Sequence, residues 1–314
     1  IFLINHEKNI KSKNIINFRP INNSPIFKFL VLFKYLFRLI LEIYKRKPNV
    51  IIFEGASWIG YSFLFFNIIK ILFGKIKIIY HSHNVDYEIR KEKFFLRKIT
   101  FEMEKFLVKN CDIFTVVSNE DQKKIFYLYK KKVLILKNGV KIKKKKNNKD
   151  KKNIILFSGS LEFKENRVAF QSFYKTIFPL LKSKYKTFKV VITGGKHKLK
   201  EDVVQKGVLK YSEYLKLLNR TKLCIYPFRK GPGTKVKVIE ALCNKIIILT
   251  TKFSFKGLNI NNNKKFIFDN KKQLKKKINL FLSNNNKENF KTIFFDARKN
   301  YNIEIILNEF YSKI

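Results

Sequence analysis

The 314-residue chain is predicted to be α/β, with parallel sheets covered by helices on both faces. Three observations predict it. Short apolar runs of strand type alternate with longer runs of helix type across short connections, which is the rhythm of a parallel sheet. The length suits two domains of ordinary size, each able to bury its own core. Finally, residues 141–152 (KIKKKKNNKDKK) hold eight lysines and one aspartate, read as a solvated linker, and divide the rhythm into halves. The expected domains are 1–140 and 153–290, followed by terminal helices over 291–314.

In the first half, residues 1–5 read as a short strand and the Asn-, Lys- and Pro-rich stretch up to Pro25 as loop. Residues 26–44 form a helix whose apolar character is interrupted by Lys28, Lys34, Arg38 and Glu42; the last three share one face. It is too charged to span a bilayer, and two readings stay open: a core-facing helix, or a basic amphipathic helix lying on a membrane. A strand (49–53), an apolar helix (59–73) and a second strand (77–80) follow. That strand delivers His81 and His83 to the sheet edge where ligands bind in such folds. Two histidines at i, i+2 are also metal-ligand types, but no third ligand stands at convincing spacing, so no metal is expected. A helix (94–109), a strand (111–117), a helix capped by Ser118 and a short strand (133–136) lead to Asn138-Gly139.

The second half repeats the grammar. Strands are expected at 153–157, 188–192, 203–208, 223–226, 246–250 and 266–268. Helices are expected at 166–182, 212–219, 273–282 and within 290–314. Two turns of small residues, 158–160 and 193–195, follow strands. The stretch 226–258, YPFRKGPGTKVKVIEALCNKIIILTTKFSFKGL, is the densest in signals. Thr234 after Gly-Pro-Gly is the expected opening of a helix running to Cys243, and a helix start favours an anion. On such a helix Gly233, Lys237 and Glu240 fall at i, i+4 and i+7 and share a face. That is either a phosphate site with a cation and a carboxylate beneath it, or an ordinary surface helix with a Lys–Glu pair.

The formal net charge of +45 would point to nucleic acid or anionic membrane. Lys, Asn, Ile and Phe are in excess together, however, as A+T-rich coding produces, and no basic-aromatic nucleic-acid motif is present, so nucleic acid is not an expected partner. Attraction to anionic lipid or phosphorylated ligands follows from the charge itself. Cys111, Cys224 and Cys243 are widely spaced and read as reduced, buried thiols in a cytosolic setting, without metal-ligand spacing.

Eight pieces in order carry a resemblance: HNVDYEIR (83–90), CDIFTVVSNED (111–121), KNGV (137–140), ILFSGSLEFKENRVAFQSF (155–173), VVITGG (190–195), GPGTKVKVIEAL (231–242), FKGL (255–258) and FDARKNY (295–301). Over residues 49–314 the chain resembles the GT-B glycosyltransferases of family 4, the glycosyl transferases group 1 type. That resemblance implies two Rossmann-like domains facing a cleft, acceptor side first and nucleotide-sugar side second, with the last helix crossing back. It also implies a sugar transfer from a nucleotide-sugar donor to a carbohydrate or lipid-linked acceptor, as in the synthesis of cell-surface polysaccharide or glycolipid. The protein would be cytoplasmic or peripheral on the inner face of the membrane. His83 matches the cleft histidine near the donor sugar. Gly159, Gly233 and Thr234 match the diphosphate cradle, Lys237 a basic position, and Glu240 the carboxylate on the ribose.

Departures from the pattern favour an alternative, a degenerate GT-B protein that binds ligand or membrane without catalysis. Pro232 stands where the family carries a second glutamate. Ser160 replaces a basic residue, for which Lys164 is the expected substitute. The family's first strand and glycine-rich loop have no counterpart in the sequence.

Overall fold

The computed structural model describes residues 2–4, 16–18, 25–55, 59–90, 94–142, 153–161, 163–195, 203–231, 233–282 and 290–313, with side chains from Leu32 onward. Most of the Lys-rich run, from residue 143, and Pro232 lie outside them. The chain divides into two compact units, Ile1–Thr115 and Val116–Ile314.

The first unit opens with β1 (Phe2–Ile4) paired in parallel to β2 (Ile16–Phe18). The second of these falls in sequence expected to be loop, where Ile16 and Phe18 stand within an Asn-rich stretch. Helix α1 (Pro25–Arg46) buries Leu32, Tyr35, Leu36 and Ile43. Next come β3 (Val50–Gly55), α2 (Ile59–Leu72), β4 (Lys77–Ser82), α3 (Asp86–Ile89), α4 (Phe94–Asn110) and the start of β5 (Ile113–Val116). Strands β3, β4 and β5 lie side by side in that order. The β3–β4 register runs in parallel from Val50↔Lys77 to Gly55↔Ser82. Strand β4 is buried beyond its first residue, whereas β3 alternates between exposed and half-buried positions, as an edge strand does. Helices α2 and α4 meet through Phe106, whose ring packs edge-on against Phe63 and Phe66 at 5.1 and 5.8 Å.

Buried carboxylates fix the loop after β4. Asp86 accepts the Ile59 N–H at 3.0 Å and so caps α2. Glu104 accepts the N–H groups of Asp86 and Tyr87 at 2.8 and 3.2 Å and caps α3. Both helix starts gain an anion beside their free donors. Burial pushes the Asp86 carboxyl up to about 6, against the Ile59 hydrogen bond and the charge of Arg90.

The second unit continues with α5 (Asn119–Tyr129), where the Ser118 hydroxyl accepts the Asp121 N–H at 3.1 Å as the expected N-cap. Strand β6 (Leu134–Ile135) follows, and the next N–H, of Leu136, donates to the Val116 carbonyl at 2.9 Å. After the Lys-rich run come β7 (Ile154–Ser158), α6 (Lys164–Ser172), α7 (Phe178–Lys184), β8 (Lys189–Thr193), β9 (Val204–Gln205), α8 (Tyr211–Arg220), β10 (Leu223–Tyr226), α9 (Val236–Cys243) and β11 (Ile247–Thr250). Helices α10 (Lys271–Leu282), α11 (Lys291–Tyr301) and α12 (Ile303–Tyr311) complete the unit.

Where one helix is expected over 166–182, α6 and α7 are joined by a π turn, Phe173–Ile177. Pro179, early in α7, has no N–H to donate, and the Phe178 N–H reaches back to the Phe173 carbonyl. The strand expected at 266–268 reduces to a single bridge, Ile267 to Thr250, after a 3₁₀ turn over Asn263–Phe266.

The five-stranded parallel sheet has the order β11-β10-β7-β8-β9. From β7 the chain builds outward through β8 and β9, then returns to β7's other side with β10. The strand order therefore reverses between β7 and β10. In doubly wound sheets the crevice beyond the carboxyl ends of those two strands is the ligand site. The sheet core is dry: Ile155, Leu156, Phe157, Cys224, Ile225, Tyr226, Ile239 and Leu249 are all fully buried. The three cysteines are buried and none forms a disulfide, as their spacing suggests. Among the described residues, no helix is long and apolar enough to cross a membrane.

Candidate functional site

In the second unit the loops after β7 and β10 emerge at that reversal. Gly159 follows β7, and its N–H donates to the Thr193 carbonyl at 3.2 Å. Gly194, at φ +99°, lies so close that a Cβ there would stand 1.9 Å from the Gly159 oxygen. The first turns of α6 clamp this loop: Asn166 Nδ2 donates to the Ser160 carbonyl at 2.7 Å and Arg167 Nη1 to the Leu161 carbonyl at 2.9 Å. The loop after β10 reaches the same place. Gly231, at φ +124°, lies so near α6 that a Cβ would come within 2.9 Å of Glu165 Cγ and 3.2 Å of Lys235 Nζ. The start of α6 therefore joins the Gly159 turn to the Gly231 loop. Lys164, its first residue, is exposed there.

Helix α9 starts at Val236, two residues later than the Thr234 opening expected from sequence. Gly233 at φ +62° and Lys235 at ψ 81° keep the preceding turn out of the helical region. Gly233 consequently lies off the helix, and only Lys237 and Glu240 share its face. Thr234 is half-buried, and its Oγ1 accepts a 2.8 Å hydrogen bond from Asn138 Nδ2.

Glu240 is buried, and burial raises its pKa against the opposing pull of Lys237 and the hydroxyls of Tyr211 and Tyr214. Burial lowers the Lys237 ammonium, with Glu240 acting the other way. Lys237 Nζ stands 5.8 Å from the centre of the Tyr214 ring. Tyr211 is pushed up to about 12, by burial first and then by Glu240. Lys235 is a second half-buried ammonium lowered by burial, with Glu165 opposing. Sequence reasoning missed Lys235, Tyr211 and Tyr214. The tyrosines open a helix whose chemistry shows only once α8 lies beside α9.

In the first unit, His83 follows β4, and its Nε2 lies 2.8 Å from Glu54 Oε2. His81, still within β4, is buried with its Nδ1 2.8 Å from Thr115 Oγ1. Burial lowers the His81 imidazole to about 4, while the hydrogen bond to His83 holds the Glu54 carboxyl below its ordinary value. The two imidazole rings pack edge-on at 4.7 Å. Glu54 is the residue that the sequence did not single out: the strand expected at 49–53 stopped one short of it. The register placing Glu54 opposite His81 is the signal that finds it.

Residues 152–284 match the family model of the glycosyl transferases group 1. That stretch is similar to the glycosyl transferases group 1. It contains the Gly159 turn, the Gly231 loop and Glu240. No curated protein matches the chain. Among solved structures, TarM superposes with a TM-score of 0.61 at 17% identity, over 84% of this chain and 54% of that one. HepE of Anabaena, solved in complex with UDP and glucose, gives 0.65 at 11% identity over 95% and 85%. A glycosyltransferase from Rickettsia africae gives 0.61 at 15% over 95% and 83%. The chain thus spans about half the length of TarM. At these identities the likeness is one of fold: the chain has the α/β architecture of the GT-B glycosyltransferases.

Proposed function

We propose that the protein is a glycosyltransferase that moves a sugar from a nucleotide-sugar donor to a carbohydrate or lipid-linked acceptor, with retention at the anomeric carbon. The observation that carries the reading is the group 1 family match over 152–284, the stretch that includes Gly159, Gly231 and Glu240. In this reading the backbone turns at Gly159 and Gly233–Thr234 cradle the diphosphate, and Glu240 accepts the ribose hydroxyls. As the glycosidic bond breaks, negative charge grows on the leaving diphosphate. The start of α9 and the ammonium groups of Lys235 and Lys237 stabilise that charge most in the transition state, where stabilisation accelerates the reaction. Lys164 adds a cation at the start of α6, and His83 of the first unit is the catalytic residue of this reading. No metal is required by this arrangement.

The acceptor class extends the same reading. In α1 the exposed Phe33, Phe37, Leu41 and Tyr44 recur at helical spacing, beside the exposed Lys34, Arg38 and Lys45. That face supports peripheral contact with an anionic membrane, where a lipid-linked acceptor and a cell-surface polysaccharide or glycolipid pathway would lie.

The test is a thermal-shift panel of nucleotide sugars, since only a ligand of the native state raises Tm. UDP-glucose is the first to try, because HepE is known in complex with it. One nucleotide sugar should stabilise the protein, and Glu240→Ala should weaken that binding at least tenfold. Unchanged binding in that variant would remove Glu240 from the site.

A further inference from the structure

From the end of the first unit's sheet we infer a binding site for a divalent transition-metal cation of the zinc class, built from Glu54, His81 and His83. The inference starts from strand geometry. Side chains alternate faces along a strand, so residues two apart point the same way. Glu54 and His81 are partners in the parallel β3–β4 register, and His83 lies two residues beyond His81. One carboxylate and two imidazoles from adjacent strands are thereby delivered to one face of one sheet edge. An ordinary ion pair would need only Glu54 and His83. The third group is what a metal site adds.

The distances suit coordination. One ligand atom from each residue lies within 4.8 Å of the other two. An ion bonded at about 2.0–2.2 Å to three such atoms needs them roughly 3–3.6 Å apart. Glu54 Oε2 and His83 Nε2, at 2.8 Å, are already that close. A side-chain rotation of about an ångström brings in the remaining ligand. Histidine ligands characteristically hold their second ring nitrogen on a hydrogen-bond partner, which fixes the ring and frees the other nitrogen. His81 has that anchor: its Nδ1 lies 2.8 Å from the Thr115 hydroxyl, which itself faces the Tyr80 carbonyl at 3.4 Å. With Thr115 donating to Tyr80, His81 donates from Nδ1 and presents the Nε2 lone pair.

Two imidazoles and one carboxylate form the donor set of open zinc sites, which suits Zn²⁺, Co²⁺ and Ni²⁺ far better than Mg²⁺ or Ca²⁺. Glu54 keeps 61% of its side chain exposed and His83 31%, so the ion has a path in and room for water as a fourth ligand. Occupancy would take the His83 nitrogen that now meets Glu54. On the proposed function, in which His83 is catalytic, the bound cation therefore inhibits transfer instead of assisting it.

The test uses the full chain stripped with a chelator and titrated with Zn²⁺ by calorimetry, then with Co²⁺ by visible spectroscopy. One equivalent should bind. Co²⁺ should give the d–d bands of a nitrogen- and oxygen-ligated ion, without a thiolate charge-transfer band. Glu54→Gln changes an exposed position and His83→Gln a half-buried one, so each should weaken binding at least tenfold while Tm without metal stays near that of the parent. Absence of binding, binding indifferent to both substitutions, or a thiolate band would each overturn the site. The activity arm is separate. Zn²⁺ inhibition lost in Glu54→Gln joins the site to catalysis, whereas one-equivalent binding with no turnover under any condition keeps the metal site and rejects the transferase reading.

Discussion

The side-chain amide of Asn138 donates a 2.8 Å hydrogen bond to the hydroxyl of Thr234, across 96 residues of sequence. Asn138 reads in the sequence as half of a turn pair, and Thr234 as part of a phosphate cradle. No side chain caps α9, so the loop before it depends on such outside partners. Asn138→Ala should cost about 1 kcal/mol of stability, the ordinary value of one hydrogen bond, and raise the donor KM severalfold by loosening Gly233 and Thr234. A double-mutant cycle with Thr234→Val, read by denaturant unfolding, should return a coupling of about 1 kcal/mol. Strict additivity would show that the bond contributes nothing.

Two neighbouring glycines should respond to alanine to very different degrees. A Cβ on Gly194 would sit 1.9 Å from the Gly159 carbonyl oxygen, and the residue holds φ +99°. Both backbone strain and a clash with main chain follow, so Gly194→Ala should lose several kcal/mol (roughly 3 or more). At Gly159 the nearest atom is the Asn166 side chain at 3.2 Å, and no positive φ is involved. Gly159→Ala should cost less than about 1 kcal/mol and, on the proposed function, impair nucleotide binding, because the added methyl presses on the Asn166 side chain that clamps the turn. Soluble yield and Tm separate the two variants. Equal destabilisation would contradict the close packing of the two turns.

Much of this was legible in the sequence, because local pattern and local structure agree over most of the chain. The βα alternation gave the parallel sheets, Ser118 announced its helix, and GPGTKVKVIEAL marked the switch-point loop. Two kinds of information were absent. Backbone torsions at Gly233 and Lys235 decide where α9 begins, and the spacing of Lys237 and Glu240 is the same for either start. Partners brought in by the sheet, such as Glu54 beside His83 or Tyr211 and Tyr214 beside Glu240, depend on register and on which helix lies alongside. Neither is encoded near the residues concerned. The π turn of Phe173–Ile177 belongs with these, since Pro179 signals a missing donor but not how the helix absorbs it.

Stability should depend on pH through two buried groups of opposite sign. Burial raises the Asp86 carboxyl from 3.8 to about 6, so the folded protein holds that proton more tightly than the unfolded chain. Its contribution is fully present below 3.8 and is lost as pH rises through 6. The His81 imidazole is lowered from 6.5 to about 4, so its contribution is present above 6.5 and is lost as pH falls toward 4. On acidification between 6.5 and 4 the two partly cancel. Asp86→Asn keeps an acceptor for the Ile59 N–H but removes the titration, leaving the His81 loss unopposed. At neutral pH the variant should match or exceed the parent in Tm. By about pH 5 it should have fallen further than the parent, by about 1 kcal/mol. Parallel Tm profiles of the two proteins would show that Asp86 titrates normally.

Lys237 and Glu240 offer the sharpest test of the nucleotide site. Glu240 has a raised pKa because burial outweighs Lys237 and the Tyr211 and Tyr214 hydroxyls, and the ammonium is the largest restraint on the rise. If the ionised carboxylate accepts the ribose hydroxyls, UDP affinity must fall as pH drops through the Glu240 pKa. Lys237→Met removes the restraint, so that fall should begin at a higher pH. On the proposed function it also removes a cation beside the diphosphate, which should weaken UDP at least tenfold, or about 1.4 kcal/mol, even where Glu240 is fully ionised. Lys237→Arg keeps the charge and should retain most of the affinity and the parent's pH profile. Calorimetric titration of UDP from about pH 5 to pH 8 distinguishes the cases, since linkage requires the affinity to follow the carboxyl's protonation. An unshifted profile in Lys237→Met would mean that Lys237 acts on the phosphates alone and Glu240 does not titrate within the site.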